Sequence, residues 1–229
     1  MNFLIFRTDR IGDFIVTAIL IKSIKQKYKN AKITVISSDK NFDFISKFSL
    51  VNNVFLYPKN LKDKYLLIKK LNKLNFDYLL VVDGKKRSFF LSMFIKSKKK
   101  ILTFTKPIFN FFNFFKNIKV IYDNEIDYNK IDIIKKNLSI LKCDFSQNDL
   151  NIFDNQNIFS KFKPVINLVN NNYIILHLDE KWIHNEYIKK YQNIEPIKDD
   201  LKIFINKLIN ITDNNLIITT GIKSNKLTE

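Results

Sequence analysis

The sequence predicts an α/β protein built on a parallel sheet, and two features of the pattern indicate this class. Short apolar runs alternate with longer segments of helical periodicity through the first half of the chain, from Phe3 to Ile101. Most of the apolar runs are continuous and do not alternate with polar residues, which is typical of strands covered on both faces. We therefore expect a parallel sheet between two layers of helices.

The elements follow in chain order from this pattern. The strands are predicted at Phe3–Phe6, Lys32–Ser37, Asn53–Leu56, Tyr78–Val82 and Lys100–Leu102. Apolar residues at helical spacing, beginning with Ile15, Ala18 and Ile19, predict the first helix. The helices are predicted at Phe14–Lys29, Phe42–Phe48, Leu61–Leu74, Ser88–Ile95 and Tyr128–Leu141.

A phenylalanine-rich segment from Thr103 to Val120 interrupts this alternation. One interpretation is a core helix or a buried connection. The other is an interfacial element whose rings enter a lipid surface while lysines at both ends meet headgroups. The segment is much too short to span a bilayer.

The second half of the chain predicts a division into domains. We expect a first domain over residues 1–146, an asparagine-rich linker over 147–172 and a partial α/β domain over 173–229. The last part contains a strand at Tyr173–Leu178, a helix at Asp200–Ile209 and a strand at Leu216–Thr220. Two strands and one helix make an incomplete second domain, which is a marginal folding unit by itself.

The chain is strongly basic, with 39 Lys and Arg residues against 22 Asp and Glu and a formal net charge of +17. Such a charge favours an anionic partner, either a phosphorylated glycolipid or a membrane surface. The alternative is the codon bias of an A+T-rich genome with solvated lysine faces. Nucleic acid is disfavoured, because the lysines are dispersed and only Arg7, Arg10 and Arg87 are arginines.

Other features narrow the class of protein. Cys143 is the single cysteine, so no internal disulfide forms and a reducing cytoplasm suits the chain. Neither a signal pattern nor a membrane-spanning run is visible. The histidines, His177 and His184, lack a surrounding ligand pattern, so no metal site is predicted.

The first strand is followed by the polar turn Arg-Thr-Asp-Arg-Ile-Gly-Asp, where ligands usually bind in open parallel sheets. Gly12 is expected to let the backbone turn without a Cβ clash. Asp13 could act as a general base or cap the first helix. Arg7 and Arg10 could hold phosphate or carboxylate groups, or form a local ion pair with Asp9 or Asp13.

This turn, with the following helix and the segment AKITVI, resembles the amino terminus of the heptosyltransferase-type glycosyltransferases of family 9. The resemblance extends from Phe3 to about Tyr57, continues loosely over Asp77–Ile101 and returns weakly over Tyr173–Trp182. It implies a Rossmann-like acceptor-binding domain, the amino-terminal half of a GT-B fold, followed by a donor-binding domain.

The resemblance also assigns roles near the first turn. Asp13 matches the position of the family's catalytic base. Arg7, Arg10, Gly12 and Thr17 are then candidates for acceptor binding, although Thr17 could simply bond to a carbonyl of the preceding helical turn.

On the donor side the resemblance implies Lys181, Thr220 and Gly221 as binding residues. Lys181 departs from the family pattern, because it adjoins Trp182 and follows two acidic residues. The family's donor-binding Asp-x-x-x-x-His stretch has no position before Glu229. We therefore expect a truncated member, or one completed by a partner chain.

The resulting expectation is an inverting glycosyltransferase that moves a sugar, expected to be heptose, from a nucleotide-sugar to an anionic glycolipid of the lipopolysaccharide core. The donor is expected to be ADP-heptose, a substrate and not a cofactor, and no metal is required. The location implied is the cytoplasmic face of the plasma membrane. The alternatives are an inactive remnant that binds only acceptor, and a basic nucleic-acid-binding protein.

Overall fold

The computed structural model describes residues 1–104, 112–122, 130–152, 161, 173–178, 198–211 and 215–220. The chain divides into two compact units, Met1–Lys163 and Pro164–Glu229. Each unit is described separately below. The division between them falls inside the range that the sequence predicts as a linker.

The first unit contains a six-stranded, fully parallel sheet with the order β3-β2-β1-β4-β5-β6. This order is that of a Rossmann-like doubly wound sheet, so the predicted fold class is confirmed. The strands are β1 (Asn2–Phe6), β2 (Lys32–Ser37), β3 (Asn53–Leu56), β4 (Phe76–Val81), β5 (Ser97–Phe104) and β6 (Ile118–Tyr122).

Helices cover both faces of the sheet. Those of the first unit are α1 (Ile11–Lys27), α2 (Phe42–Lys47), α3 (Leu61–Asn72), α4 (Lys86–Met93) and α5 (Lys130–Ile140). Residues of α1, α2 and α5 share one buried cluster, and residues of α3 and α4 share the other. Within the described residues, none of the helices combines the length and hydrophobicity needed to cross a membrane.

Strand β1 shows how the sequence produces two cores. Successive side chains of a strand point to opposite faces, and accordingly Phe3 and Ile5 join the α1 side while Leu4 and Phe6 join the α3 side. All four side chains are inaccessible to solvent. Burial of each stabilises the fold by about 1.5–3 kcal/mol, which explains why this run contains no polar residue.

Helix α1 packs against both the sheet and α5, which explains its apolar composition. Its buried residues include Phe14 and Leu20, and also the polar Thr17 and Ser23. Ser23 Oγ donates a 2.9 Å hydrogen bond to Asp149 Oδ2 in a 3-10 turn at Gln147–Leu150. This turn lies in the predicted linker, yet Asp149 is completely buried against α1.

Strand β6 was not predicted, because it lies in the range interpreted as a core helix or an interfacial segment. The structure pairs β6 with β5, from Lys100↔Ile118 to Phe104↔Tyr122. As an edge strand β6 is half exposed: its alternation of Ile118, Lys119 and Val120 is short and was obscured by the preceding phenylalanines. Phe109 and Phe111 lie outside the described residues.

In its described residues, the second unit contains a parallel pair of strands and a helix that lies between them in sequence. Strands β7 (Tyr173–Leu178) and β8 (Asn215–Thr220) pair from Tyr173↔Asn215 to Leu178↔Thr220. The helix between them is α6 (Lys198–Ile211). All three elements were predicted, with bounds within two residues.

Candidate functional site

An open groove of about 910 Å³ lies at the carboxyl ends of β1, β2 and β4. Strands β2 and β3 lie on one side of β1, and β4, β5 and β6 lie on the other, so the strand order reverses between β1 and β4. Ligands of open α/β sheets bind at such a reversal of strand order. The lining residues come from the loops after the three strands and from the first turns of α1 and α4: Thr8, Asp9, Arg10, Asp13, Ser38, Asp39, Lys40, Lys85, Lys86 and Arg87.

Asp13 stands in this groove as the third residue of α1. It does not cap the helix, because Arg10 is the N-cap residue and makes no side-chain capping bond. Its Oδ1 accepts a 2.5 Å bond from Lys130 Nζ, the first residue of α5. Burial raises the pKa of the Asp13 carboxyl, but the bond and charge of Lys130, together with Arg7, outweigh it and hold the pKa below its ordinary value. The group is therefore ionised and 23% exposed.

Arg7 is not among the residues that line the groove. Its Nη1 donates to Asp9 Oδ2 at 2.6 Å and its Nε donates to Thr17 Oγ1 at 2.7 Å, leaving 13% of the side chain exposed. Thr17 in turn donates to the Asp13 carbonyl at 3.1 Å and is buried. The local alternatives for Arg7 and Thr17 are thus both present: an ion pair with Asp9 and a bond to the preceding turn. Through these bonds, Arg7 and Thr17 hold the β1–α1 turn in place.

Asp9 differs from Asp13 in its electrostatics. Burial raises the pKa of the Asp9 carboxyl despite the opposing effect of Arg7, and the charges of Asp13 and Asp83 add to the rise. Its Oδ1 is buried and accepts no hydrogen bond from any residue that the structure describes. The groove therefore holds two carboxylates with oppositely shifted pKa values, an arrangement typical of sites that transfer protons.

Asp83, two residues after β4, joins loops that line the groove. Its Oδ2 accepts from Thr8 Oγ1 at 2.7 Å and from Ser88 Oγ at 2.6 Å, and its Oδ1 accepts from the Lys85 backbone N–H at 3.2 Å. Gly84 beside it has φ +63°, a conformation that favours glycine. The Asp-Gly pair is a turn, as expected, but Asp83 also joins the loops after β1 and β4.

The loop after β4 supplies a basic wall that the sequence interpretation missed. Lys85 Nζ and Arg87 Nη2 both donate to the Thr8 carbonyl, at 2.8 and 3.2 Å. Lys86 is exposed in the groove between them. The available signal was the run Lys85-Lys86-Arg87 directly after a predicted strand, where the third arginine of the chain stands.

The groove has a net positive charge. Five lining residues are basic, namely Arg10, Lys40, Lys85, Lys86 and Arg87, against three acidic ones. Each acidic residue is paired with a cation outside the lining: Asp9 with Arg7, Asp13 with Lys130, and Asp39 with Lys59 at 3.1 Å. Arg10, Lys40 and Lys86 form no ion pair with any residue in the described parts of the chain. Their charges are therefore available to an anion.

The remaining predicted site residues have different outcomes. Arg10 lies in the groove. The conformational reason given for Gly12 is wrong, because Gly12 lies within α1 and a Cβ there would meet nothing within 4 Å. Lys181 and Gly221 lie outside the described residues, and Thr220 is described only as the last residue of β8. Their donor-binding roles stay predictions.

No metal centre was found in the part of the chain that the structure describes: no three His, Cys, Asp or Glu side chains group together there.

Comparison with known proteins places this fold. No protein-family model and no curated protein sequence matches the chain. Among solved structures, E. coli heptosyltransferase WaaC with ADP superposes with a TM-score of 0.70 and 13% identity, covering 98% of this chain and 69% of that one. The same enzyme with ADP-2-deoxy-2-fluoro heptose superposes with a TM-score of 0.70 and 14% identity, covering 98% of this chain and 70% of that one.

A third solved structure is similar as well. The glycosyl transferase family 9 protein from Veillonella parvula DSM 2008 gives a TM-score of 0.61 and 13% identity, covering 96% of this chain and 70% of that one. At these identities the likeness shows the fold: the chain has the α/β architecture of these transferases. The family resemblance noted at the β1–α1 turn points to the same group of proteins.

Proposed function

We propose that the chain is a glycosyltransferase of the heptosyltransferase type, which transfers a sugar from a nucleotide-sugar to an anionic acceptor. One observation carries the proposal. Asp13 presents an ionised carboxylate in a basic groove at the strand-order reversal of a fold shared with known heptosyltransferases. Fold alone does not define function, so the site geometry provides the main support.

The acceptor would be anionic because of the groove's charges. Arg10, Lys40 and Lys86 are exposed and without carboxylate partners among the described residues. Arg10 also stands at the amino terminus of the 17-residue α1, where free N–H groups and the helix dipole favour anions. A lipid-linked sugar bearing phosphate or carboxylate groups, as in the lipopolysaccharide core, matches this chemistry.

The reaction would be a direct displacement. The acceptor oxygen attacks the anomeric carbon of the donor sugar, the bond from that carbon to the diphosphate oxygen breaks, and the configuration inverts. The hydroxyl proton passes to the Asp13 carboxylate, and the nucleoside diphosphate leaves with the bonding electron pair. Lys130 occupies Oδ1 of Asp13, but a carboxylate offers about four lone-pair positions, so the proton can still be accepted.

The donor would be a nucleoside diphosphate sugar. WaaC was solved with ADP and with ADP-2-deoxy-2-fluoro heptose, which supports ADP-heptose as the donor for this chain. Lys181, Thr220 and Gly221 are the residues we propose to contact it. The same proposal includes a cytoplasmic location with peripheral contact to the inner membrane face.

The experiment is a turnover assay that measures ADP released from ADP-heptose in the presence of an anionic core glycolipid. The double variant Arg10→Met/Lys86→Met should raise the acceptor KM by about a hundredfold or more, since charge-assisted hydrogen bonds contribute about 1.5–3 kcal/mol each, while kcat changes little. Lys62→Met, an exposed lysine on α3, is the matched control. An unchanged KM in the double variant would contradict the acceptor site. Acceptor binding without any turnover would favour the inactive-remnant alternative.

A further inference from the structure

Helix α4 exposes two phenylalanines that the fold does not use. Phe90 is 59% exposed and Phe94, directly after the helix, is 68% exposed. They are four residues apart and therefore lie on one face. The opposite face of α4 is buried through Phe89 and Leu91, so the exposed pair is not needed for packing against the sheet.

The turn before β6 carries two further exposed phenylalanines. Phe114 is 91% exposed and Phe115 is 51% exposed. A series of ring contacts joins the turn to α4: Phe90 to Phe89 at 5.4 Å, Phe89 to Phe112 at 5.0 Å, and Phe112 to Phe115 at 6.1 Å between centroids. We call Phe90, Phe94, Phe114 and Phe115 the aromatic surface.

Cations border the aromatic surface. Lys96 follows Phe94 by two residues and Lys116 follows Phe115 directly, and both are exposed. Lys86 and Arg87 begin α4. Phenylalanines surrounded by lysines favour a bilayer that contains anionic lipids, because the rings enter the boundary between acyl chains and headgroups while the ammonium groups meet phosphates. A second copy of the chain is a poor occupant, because two chains of net charge +17 repel each other.

We propose that the aromatic surface docks the protein on an anionic membrane. The inference rests on the membrane contact included in the proposed function, to which it assigns named residues, but not on sugar transfer, since docking needs no sugar chemistry. It also explains how a lipid-linked acceptor could reach the groove. Lys86 lines the groove, and Phe90 and Phe94 follow it by about 6 and 12 Å along the helix at 1.5 Å per residue. The headgroup could therefore enter the groove while the acyl chains remain in the bilayer.

The test is co-sedimentation of the full chain with large vesicles of phosphatidylcholine alone or with about 30 mol% phosphatidylglycerol, an anionic lipid whose surface charge attracts basic segments. We expect binding to the anionic vesicles that weakens as salt screens the lysines. Phe90→Ser/Phe94→Ser and Phe114→Ser/Phe115→Ser should each lower the partition coefficient by about tenfold or more, since each removes two inserting rings.

Phe204→Ser on α6 is the matched control, since that ring is 49% exposed and lies in the second unit. It should leave the partition unchanged, and circular dichroism should show that all variants fold, because the replaced rings are exposed. Equal vesicle binding by the aromatic-surface variants and the parent chain would overturn the proposal. So would binding that is identical with and without anionic lipid, or a change from dimer to monomer in the aromatic-surface variants, which would assign the surface to a second copy. None of these outcomes bears on sugar transfer, so the two proposals fail separately.

Discussion

Replacement of Lys130 by Met tests whether that residue holds Asp13 in its ionised form. The ammonium group is 2.5 Å from Asp13 Oδ1, with side-chain exposures of 43% and 23%. Solvent screens a pair this exposed, so the pair contributes about 0.2–1 kcal/mol. Removal of the Lys130 charge and hydrogen bond should therefore raise the pKa of Asp13 in Lys130→Met.

The sign of the accompanying stability change follows from the direction of the shift. The pKa of Asp13 in the folded protein is lowered, so its contribution is complete above the unfolded value of 3.8 and is lost as pH falls through the lower folded value. Lys130→Met should therefore lower the free energy of unfolding at pH 7 by about 0.5 kcal/mol. The difference from the parent chain should shrink below about pH 4.

Carbon-13 NMR of the Asp13 carboxyl gives the pKa directly, and urea unfolding gives the stability. Lys130 makes further contacts, so the carboxyl pKa is the specific readout. Lys135→Met on the same helix is the control, since Lys135 pairs with Asp132 at 3.5 Å and both are about half exposed. An unchanged or lower pKa of Asp13 in Lys130→Met would refute the reasoning.

Two further predictions concern carboxylates that join separate elements of the first unit, Asp83 beside the groove and the buried Asp149 against α1. Asp83→Ala removes the acceptor for the Thr8 and Ser88 hydroxyls. It should lower the free energy of unfolding by about 2–3 kcal/mol and weaken binding of an anionic acceptor. A urea midpoint equal to that of the parent chain would contradict this prediction. Asp149→Ala removes the acceptor for Ser23 Oγ and for the Ser146 backbone N–H. It should lower the free energy of unfolding by about 1–3 kcal/mol and leave kcat unaffected. A stability loss accompanied by an equal loss of kcat would show that Asp149 acts on the site.

The strands of the first unit could be predicted where an apolar run coincides with turn residues at its end. β2 and β3 were predicted to the residue, because a continuous apolar run ends at polar turn residues. β6 could not, since an edge strand buries only part of its residues and its pairing with β5 is a tertiary property. The order of the strands was not predicted, because no local pattern specifies which parallel strand lies beside which.

The candidate site was predicted in part for the same reason. Asp13 and Arg10 belong to one turn, and that turn is recognisable alone. The basic wall Lys85-Lys86-Arg87 reaches the groove only because β4 lies next to β1. Lys130 contacts Asp13 across 117 positions of sequence, and nothing local to either residue indicates that pairing.

The central claim is that Asp13 accepts the proton of the acceptor hydroxyl, and the turnover number of Asp13→Asn tests it most directly. An amide keeps the size of the side chain but accepts no proton, so ADP release at saturating acceptor should fall by about 10²–10⁴-fold. Acceptor affinity should stay within a few fold, and Asp132→Asn, an exposed carboxylate on α5, should retain the parent's rate. An Asp13→Asn protein with the parent's turnover number would contradict the account.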